Sequence, residues 1–197
     1  MTDPSVGPRI DALDGAEARV VAGDVGIAEA FSELSIYQVL LRHPQLARAF
    51  DKPLVQLLFR NRLDARLREL VIMRIAWLTA CCYEWTQHWR VARDLGVEDA
   101  DLLGVRDWEQ RAAFGAAERA VLAATDETVR DGAMSDATWN ACRDAVGGDD
   151  EALLELVTAI GWWRMIASLL ENLRVPLEPG VTPWPPDGRA PPLVGQG

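Results

Sequence analysis

Apolar residues recur along this chain at intervals of three and four over almost all of residues 28–175, and long alternating β-branched runs are absent. That periodicity is helical. A first helix is predicted over 27–42, broken at His43-Pro44, since proline suits the first turn of a new helix. The next is predicted over 45–50, and Pro53 is read as opening another, LVQLLF. Asp64 has the chemistry of an N-cap for a helix over 65–78. Leu67, Leu70, Val71, Ile75 and Leu78 form one stripe of it, and Ile72, Met73 and Ala76 make its other side apolar too. A helix apolar nearly all round is a buried one.

Thr79-Ala80-Cys81 reads as a tight corner, followed by a helix to Leu95 that Gly96 closes. Further helices are expected at 100–103, 112–131, 136–145 and 151–173. Outside them the pattern changes. Residues 1–26, with Pro4, Gly7, Pro8, Gly15, Gly23 and Gly26, are read as irregular. Residues 176–197 hold seven of the chain's 11 prolines and cannot be helical. The expected architecture is all-α: a single helical domain over 27–175 with antiparallel central helices, then a Pro-rich tail or arm.

Composition narrows the partners. The 197 residues are 49% hydrophobic and 25% charged, ordinary for a globular chain, with a net charge of −10. Nucleic acid and anionic membrane surfaces attract basic patches, so neither is expected as a partner. No run of ~20 apolar residues suggests a membrane span. The first fifteen residues lack a basic-then-apolar leader pattern, so a cytoplasmic location is the expectation. Three cysteines, Cys81, Cys82 and Cys142, without a CxxC, do not make a disulfide framework. Only two histidines, His43 and His88, are present. Glu84 and His88 have the spacing of a metal pair but lack a third ligand at ligand spacing, so neither a metal nor a cofactor is expected.

The candidate chemistry lies in residues 68–96. Cys81, Glu84 and His88 are three and four apart, which puts them on one face of a helix. Its first turn favours a thiolate or a carboxylate. A histidine one turn beyond a carboxylate can give or take a proton near neutral pH. A corner at 79–81 would fold the preceding helix back and bring Glu69 to the same face. A plainer reading also fits. Cys81 to Glu84 has the spacing of a capping box, Cys81 and His88 are core residues, and Glu69 pairs with Arg66 or Arg68. Trp85, Trp89, Trp162 and Trp163 either line an aromatic pocket or fill the core or a subunit interface.

The same segment resembles the core motif of the carboxymuconolactone decarboxylase and alkylhydroperoxidase D-like superfamily. Arg68-Glu69 matches the pair opening its buried helix. Cys81 matches the first cysteine of redox-active members, Tyr83-Glu84-Trp85 the YEW form that lacks the CxxC, and His88 the motif histidine. Residues 35–50, 136–141 and 161–179 are similar to its flanking helices. The resemblance implies the alkylhydroperoxidase D-like fold, His88, Glu84, Glu69 and Cys81 as the catalytic group, and Arg68, Tyr83, Trp85 and Trp162 as substrate-binding candidates.

Three functions follow. The first is an acid/base enzyme that decarboxylates, isomerises or cyclises a small carboxylated or lactone substrate, with Arg68 or Arg74 meeting a carboxylate. The second is a thiol peroxidase using Cys81. It lacks the usual partner, because Glu84 stands in the second cysteine's place and Cys82 points ~100° away around the helix. The third is a non-catalytic oligomeric binding protein. The resemblance also implies a homo-oligomer, a trimer or hexamer, with the tail around Trp184 as an arm across a neighbouring subunit.

Overall fold

The computed structural model describes residues 7–183 with Asp187 and Arg189, and among these the regular elements are helices without a strand. They are α1 (Gly15–Val25), α2 (Glu29–Ser32), α3 (Ser35–Leu40), α4 (Pro44–Phe59), α5 (Ala65–Leu78), α6 (Cys82–Asp94), α7 (Asp99–Gly104), a 3-10 helix (Val105–Gln110), α8 (Ala116–Asp131), α9 (Asp136–Ala145) and α10 (Asp150–Leu173). They fall into two compact units. Of the described residues, one unit holds 61–168 with Pro183, Asp187 and Arg189, and the other holds 7–60 with 169–182.

The first unit is built around α5. The Asp64 carboxylate caps it, accepting from Leu67 N at 3.0 Å. Every residue from Leu67 to Trp77 is buried. Each of Leu70, Val71, Ile72, Met73 and Ile75 contributes about 1.5–3 kcal/mol by leaving water. Three charged side chains are buried with them and need partners. Arg74 takes Asp126 of α8 in a two-pronged pair, 2.5 and 2.7 Å, and donates to the carbonyls of Val105 and Arg106 at 2.9 Å. That pair pins α8 and the 3-10 helix to the middle of α5.

A left-handed residue ends α5. Ala80 has φ 56°, with Ala80 N donating to Trp77 O at 3.2 Å and Cys81 N to Ala76 O at 2.9 Å. This is a Schellman motif with alanine where glycine is usual. It turns the chain so tightly that α6 runs back antiparallel along α5. Trp77 meets Trp85 across the corner with ring centroids 5.6 Å apart, and Trp85 stacks on Trp89 at 6.3 Å. From α10, Leu156, Ile160, Trp163 and Ala167 present a buried stripe at helical spacing. By length and composition alone α10 is, among the described residues, also long and apolar enough to cross a membrane, although Glu155 and Arg164 interrupt its apolar run. Its apolar character serves this core: Trp163 is 1% exposed and Leu156 and Ile160 are fully covered.

In the second unit the structure corrects the sequence reading three times. The first 26 residues are not irregular throughout, because α1 occupies 15–25. Asp14 caps it by accepting from Glu17 N at 2.8 Å, and Ala18, Ala22 and Val25 form its buried stripe. Small alanines carried that period, and the surrounding glycines masked it. The helix expected over 27–42 is instead two short ones, because Ser35 N is taken by the side chain of Glu178 at 2.9 Å, a cap from far along the chain. The helices expected at 45–50 and from Pro53 are one. Pro53 sits inside α4, and burial of Ala47, Phe50 and Leu57 along one side outweighs the ~3 kcal/mol that an interior proline costs.

Of the tail, residues 176–183 form no helix. Asp187 accepts from both Nη atoms of Arg106, and Arg189 pairs with Asp107 at 2.8 Å while lying 5.6 Å from the Trp77 ring. These two residues fold back on their own unit. Trp184 and the rest of the arm expected across a neighbouring subunit lie outside the described residues.

Candidate functional site

Four side chains from three helices form one hydrogen-bonded line in the first unit. On α5, Arg68 donates from Nε and Nη2 to Oε1 of Glu69, both at 2.9 Å. The other carboxylate oxygen, Oε2, meets Nδ1 of His88 on α6 at 2.7 Å. Nε2 of His88 accepts from the indole N–H of Trp163 on α10 at 3.0 Å. Glu69 is 0% exposed and the His88 side chain 13%. The corner at Ala80 makes this possible by bringing residues nineteen apart face to face.

The line fixes protonation states. An indole can only donate, so Nε2 of His88 carries no proton and Nδ1 carries the one that points at Glu69. Burial works to raise the Glu69 carboxyl, its partners His88 and Arg68 lower it, and the balance holds Glu69 below the ordinary glutamate range. Glu69 is therefore the ionised acceptor, and the arrangement is a carboxylate-oriented imidazole with Nε2 as its basic atom.

Glu84, one turn before His88 on the same helix, is the opposite case. It is 2% exposed, and among the described residues neither carboxyl oxygen has a hydrogen-bond partner. Burial pushes its pKa well above the usual carboxyl range, so it sits as a neutral acid. The capping-box geometry is not formed. The donor that a capping box requires, Cys81 N–H, is spent on Ala76 O in ending α5.

The remaining candidates divide between core and site. Cys81 is fully buried at the start of α6 and makes no disulfide. Cys82 is half-buried, its sulfur 3.8 Å from Thr86 Oγ1. Cys142 donates to Ala120 O, and burial with Glu127 nearby pushes its pKa up to about 11. Tyr83 and Trp85 are buried, Trp85 within the Trp77–Trp85–Trp89 stack. Both arginines considered for a substrate carboxylate are engaged, Arg68 on Glu69 and Arg74 on Asp126. Arg66 pairs with Asp101 and Glu118, not with Glu69. Trp162 is half-buried, and its neighbour Trp163 is the one that reaches His88. The sequence reading weighed Trp163 only as one of several tryptophans. The signal for it was its place in the Leu156–Ile160–Trp163–Ala167 stripe.

Residues 44–127, from the start of α4 to near the end of α8, match the model of the carboxymuconolactone decarboxylase family. The match takes in Glu69, Cys81, Glu84 and His88 and leaves Trp163 outside. No curated protein matches the chain. Several solved structures share its fold. An alkylhydroperoxidase AhpD core, an uncharacterized peroxidase-related protein from Ralstonia eutropha JMP134, aligns with TM-score 0.70 and 16% identity, covering 90% of this chain and 98% of that one. A peroxidase-related protein from Silicibacter sp. TM1040 aligns at 0.69 and 14%, covering 92% of each. A cysteine variant of the debrominase Bmp8 in complex with 2,3,4-tribromopyrrole aligns at 0.70 and 15%, covering 88% and 94%.

Proposed function

We propose, from the premise that this chain belongs to the carboxymuconolactone decarboxylase and alkylhydroperoxidase D-like superfamily, that it is an acid/base enzyme acting on a small ring substrate of lactone or carboxylated type. The observation that carries the reading is the Glu69–His88 hydrogen bond with a buried, unpartnered Glu84 carboxyl one helical turn away. His88 Nε2 takes a proton from substrate carbon, and Glu69 steadies the imidazolium that forms. The electron pair left behind goes into an enolate, and Glu84 returns a proton to carbon or oxygen. Delivery to a different atom gives isomerisation. Two carboxyl groups with opposite protonation states are the usual sign of divided acid and base roles.

The thiol-peroxidase reading has less support. Cys81 is fully buried, and Glu84 stands in the sequence where the motif's second cysteine would be. A relative of this fold bound to a bromopyrrole supports a small planar ring as the substrate's shape.

The test is a screen of small cyclic carboxylic acids, lactones and enones by melting-temperature shift and absorbance, followed by His88→Ala. Turnover of a hit should fall by about 10²–10⁴-fold with the fold retained. Full activity of the variant would end the reading.

A further inference from the structure

The line of hydrogen bonds does not stop at His88, and its last member lies outside the segment that matches the family model. Trp163 is almost fully buried on α10, and its ring stands edge-on to the imidazole, 5.8 Å between centroids and 81° between planes. A leucine or phenylalanine would fill the same stripe. Only tryptophan brings a donor, and that donor is aimed at the one atom the proposed chemistry needs. Glu69 settles the other nitrogen, because an ionised carboxylate demands the proton on Nδ1. It leaves open whether Nε2 is bare or protonated. An indole N–H facing Nε2 closes that choice, since a second proton there would point N–H against N–H.

We propose that Trp163 is the positioning residue of this site: its indole N–H occupies Nε2 of His88, keeps that nitrogen unprotonated, and presents it as the proton acceptor when substrate takes the indole's place. The proposal rests on the acid/base reading of the site and names how its base is kept ready. A neutral N–H···N bond is weak beside the charge-assisted bond on the other side of the ring. The Trp163 side is thus the one that gives way, while Glu69 keeps the ring in register. On release the indole N–H becomes a donor that can meet the substrate's carbonyl oxygen, where negative charge develops as carbon loses its proton.

The experiment is ¹⁵N NMR on the full-length chain. Only two histidines are present, and replacing the other, the α4 N-cap, by another capping residue in His43→Asn assigns the signals. In wild type, His88 should show a protonated Nδ1, a bare Nε2, and a through-hydrogen-bond coupling between Nε2 and Trp163 Nε1. In Trp163→Phe the coupling should be gone and the Nε2 resonance should shift, because its hydrogen-bond donor is removed. A wild-type Nε2 that already carries a proton, or no coupling to Trp163, would overturn the proposal even if the variant proved unstable. So would an unchanged His88 spectrum in a folded Trp163→Phe. On any substrate found, Trp163→Phe should lower kcat about tenfold or more with KM changed by less than about threefold. If the coupling is present but His88→Ala is fully active, the tautomer device stands and the catalytic reading falls. If His88→Ala is dead but the coupling is absent, the reverse holds.

Discussion

Cys81 N–H donates to Ala76 O at 2.9 Å, and that one bond leaves Glu84 without the backbone partner its position would otherwise give it. The same donor cannot both end α5 and close a capping box at the start of α6. The tight corner therefore produces two things at once. It brings Glu69 to His88, and it strands a carboxyl group one turn away in a buried place.

The stranded carboxyl predicts an unusual pH dependence. Glu84 holds its proton in the folded state beyond the pH at which the unfolded chain releases it. Its contribution to stability is complete below the ordinary glutamate pKa and is lost as pH rises toward its raised folded value. Glu84→Gln keeps the shape without the proton. Its stability relative to wild type should be near even at about pH 4 and should grow by up to about 1.4 kcal/mol per pH unit above the ordinary glutamate range. Urea unfolding of both proteins at pH 5, 6.5 and 8 measures this, and parallel curves would refute it.

Glu69 behaves in the opposite sense. Its folded pKa is depressed, so its contribution is present above the ordinary glutamate pKa and fades as pH falls below it. Glu69→Gln leaves the buried Arg68 without its counter-charge. A loss of about 3–5 kcal/mol at neutral pH is expected from breaking a buried pair on one side. The gap to wild type should narrow on acidification, and a gap that stays constant down to pH 3 would show that the pair carries no such linkage.

At the corner, the half-buried Ala80 has a φ of 56°, which strains an alanine. Ala80→Gly should stabilise the protein by about 0.5–1 kcal/mol, the strain relieved less the added freedom of the unfolded chain. Ala80→Val should destabilise it. Denaturant midpoints decide, and a Gly variant less stable than wild type would contradict the strain.

The cysteines should label in order of exposure. Cys82, half-buried, is expected to react with iodoacetamide in the folded protein, and Cys81 and Cys142, fully covered, only on unfolding. Peptide mass spectrometry gives the order. Rapid labelling of Cys81 in the native state would return attention to thiol chemistry.

How much of this was legible beforehand follows from physics local to each residue. The helix over 65–78, its Asp64 cap, the corner at 79–81 and the helix over 136–145 could all be read, because each has a strong periodic or capping signal within its own few residues. The meeting of Glu69 and His88 could be anticipated from the corner. What could not be read depends on distant partners. Glu178 caps α3 from over 140 residues away, Pro53 is carried inside α4 by tertiary burial, and the indole of Trp163 finds His88 across 75 positions. The state of Glu84 was hidden for a different reason. Spacing suggested a backbone partner, and only the geometry of the corner shows that partner already taken.

Proton transfer at His88 is the step on which the proposed function depends most directly. The measurement is deuterium wash-in from heavy water at the reacting carbon of a ring substrate found by the screen, followed by NMR for wild type and His88→Ala. Deuterium is expected in the wild-type product, with a rate at least about 10²-fold lower in the variant. Turnover by wild type without deuterium incorporation, or equal incorporation by both proteins, would contradict it.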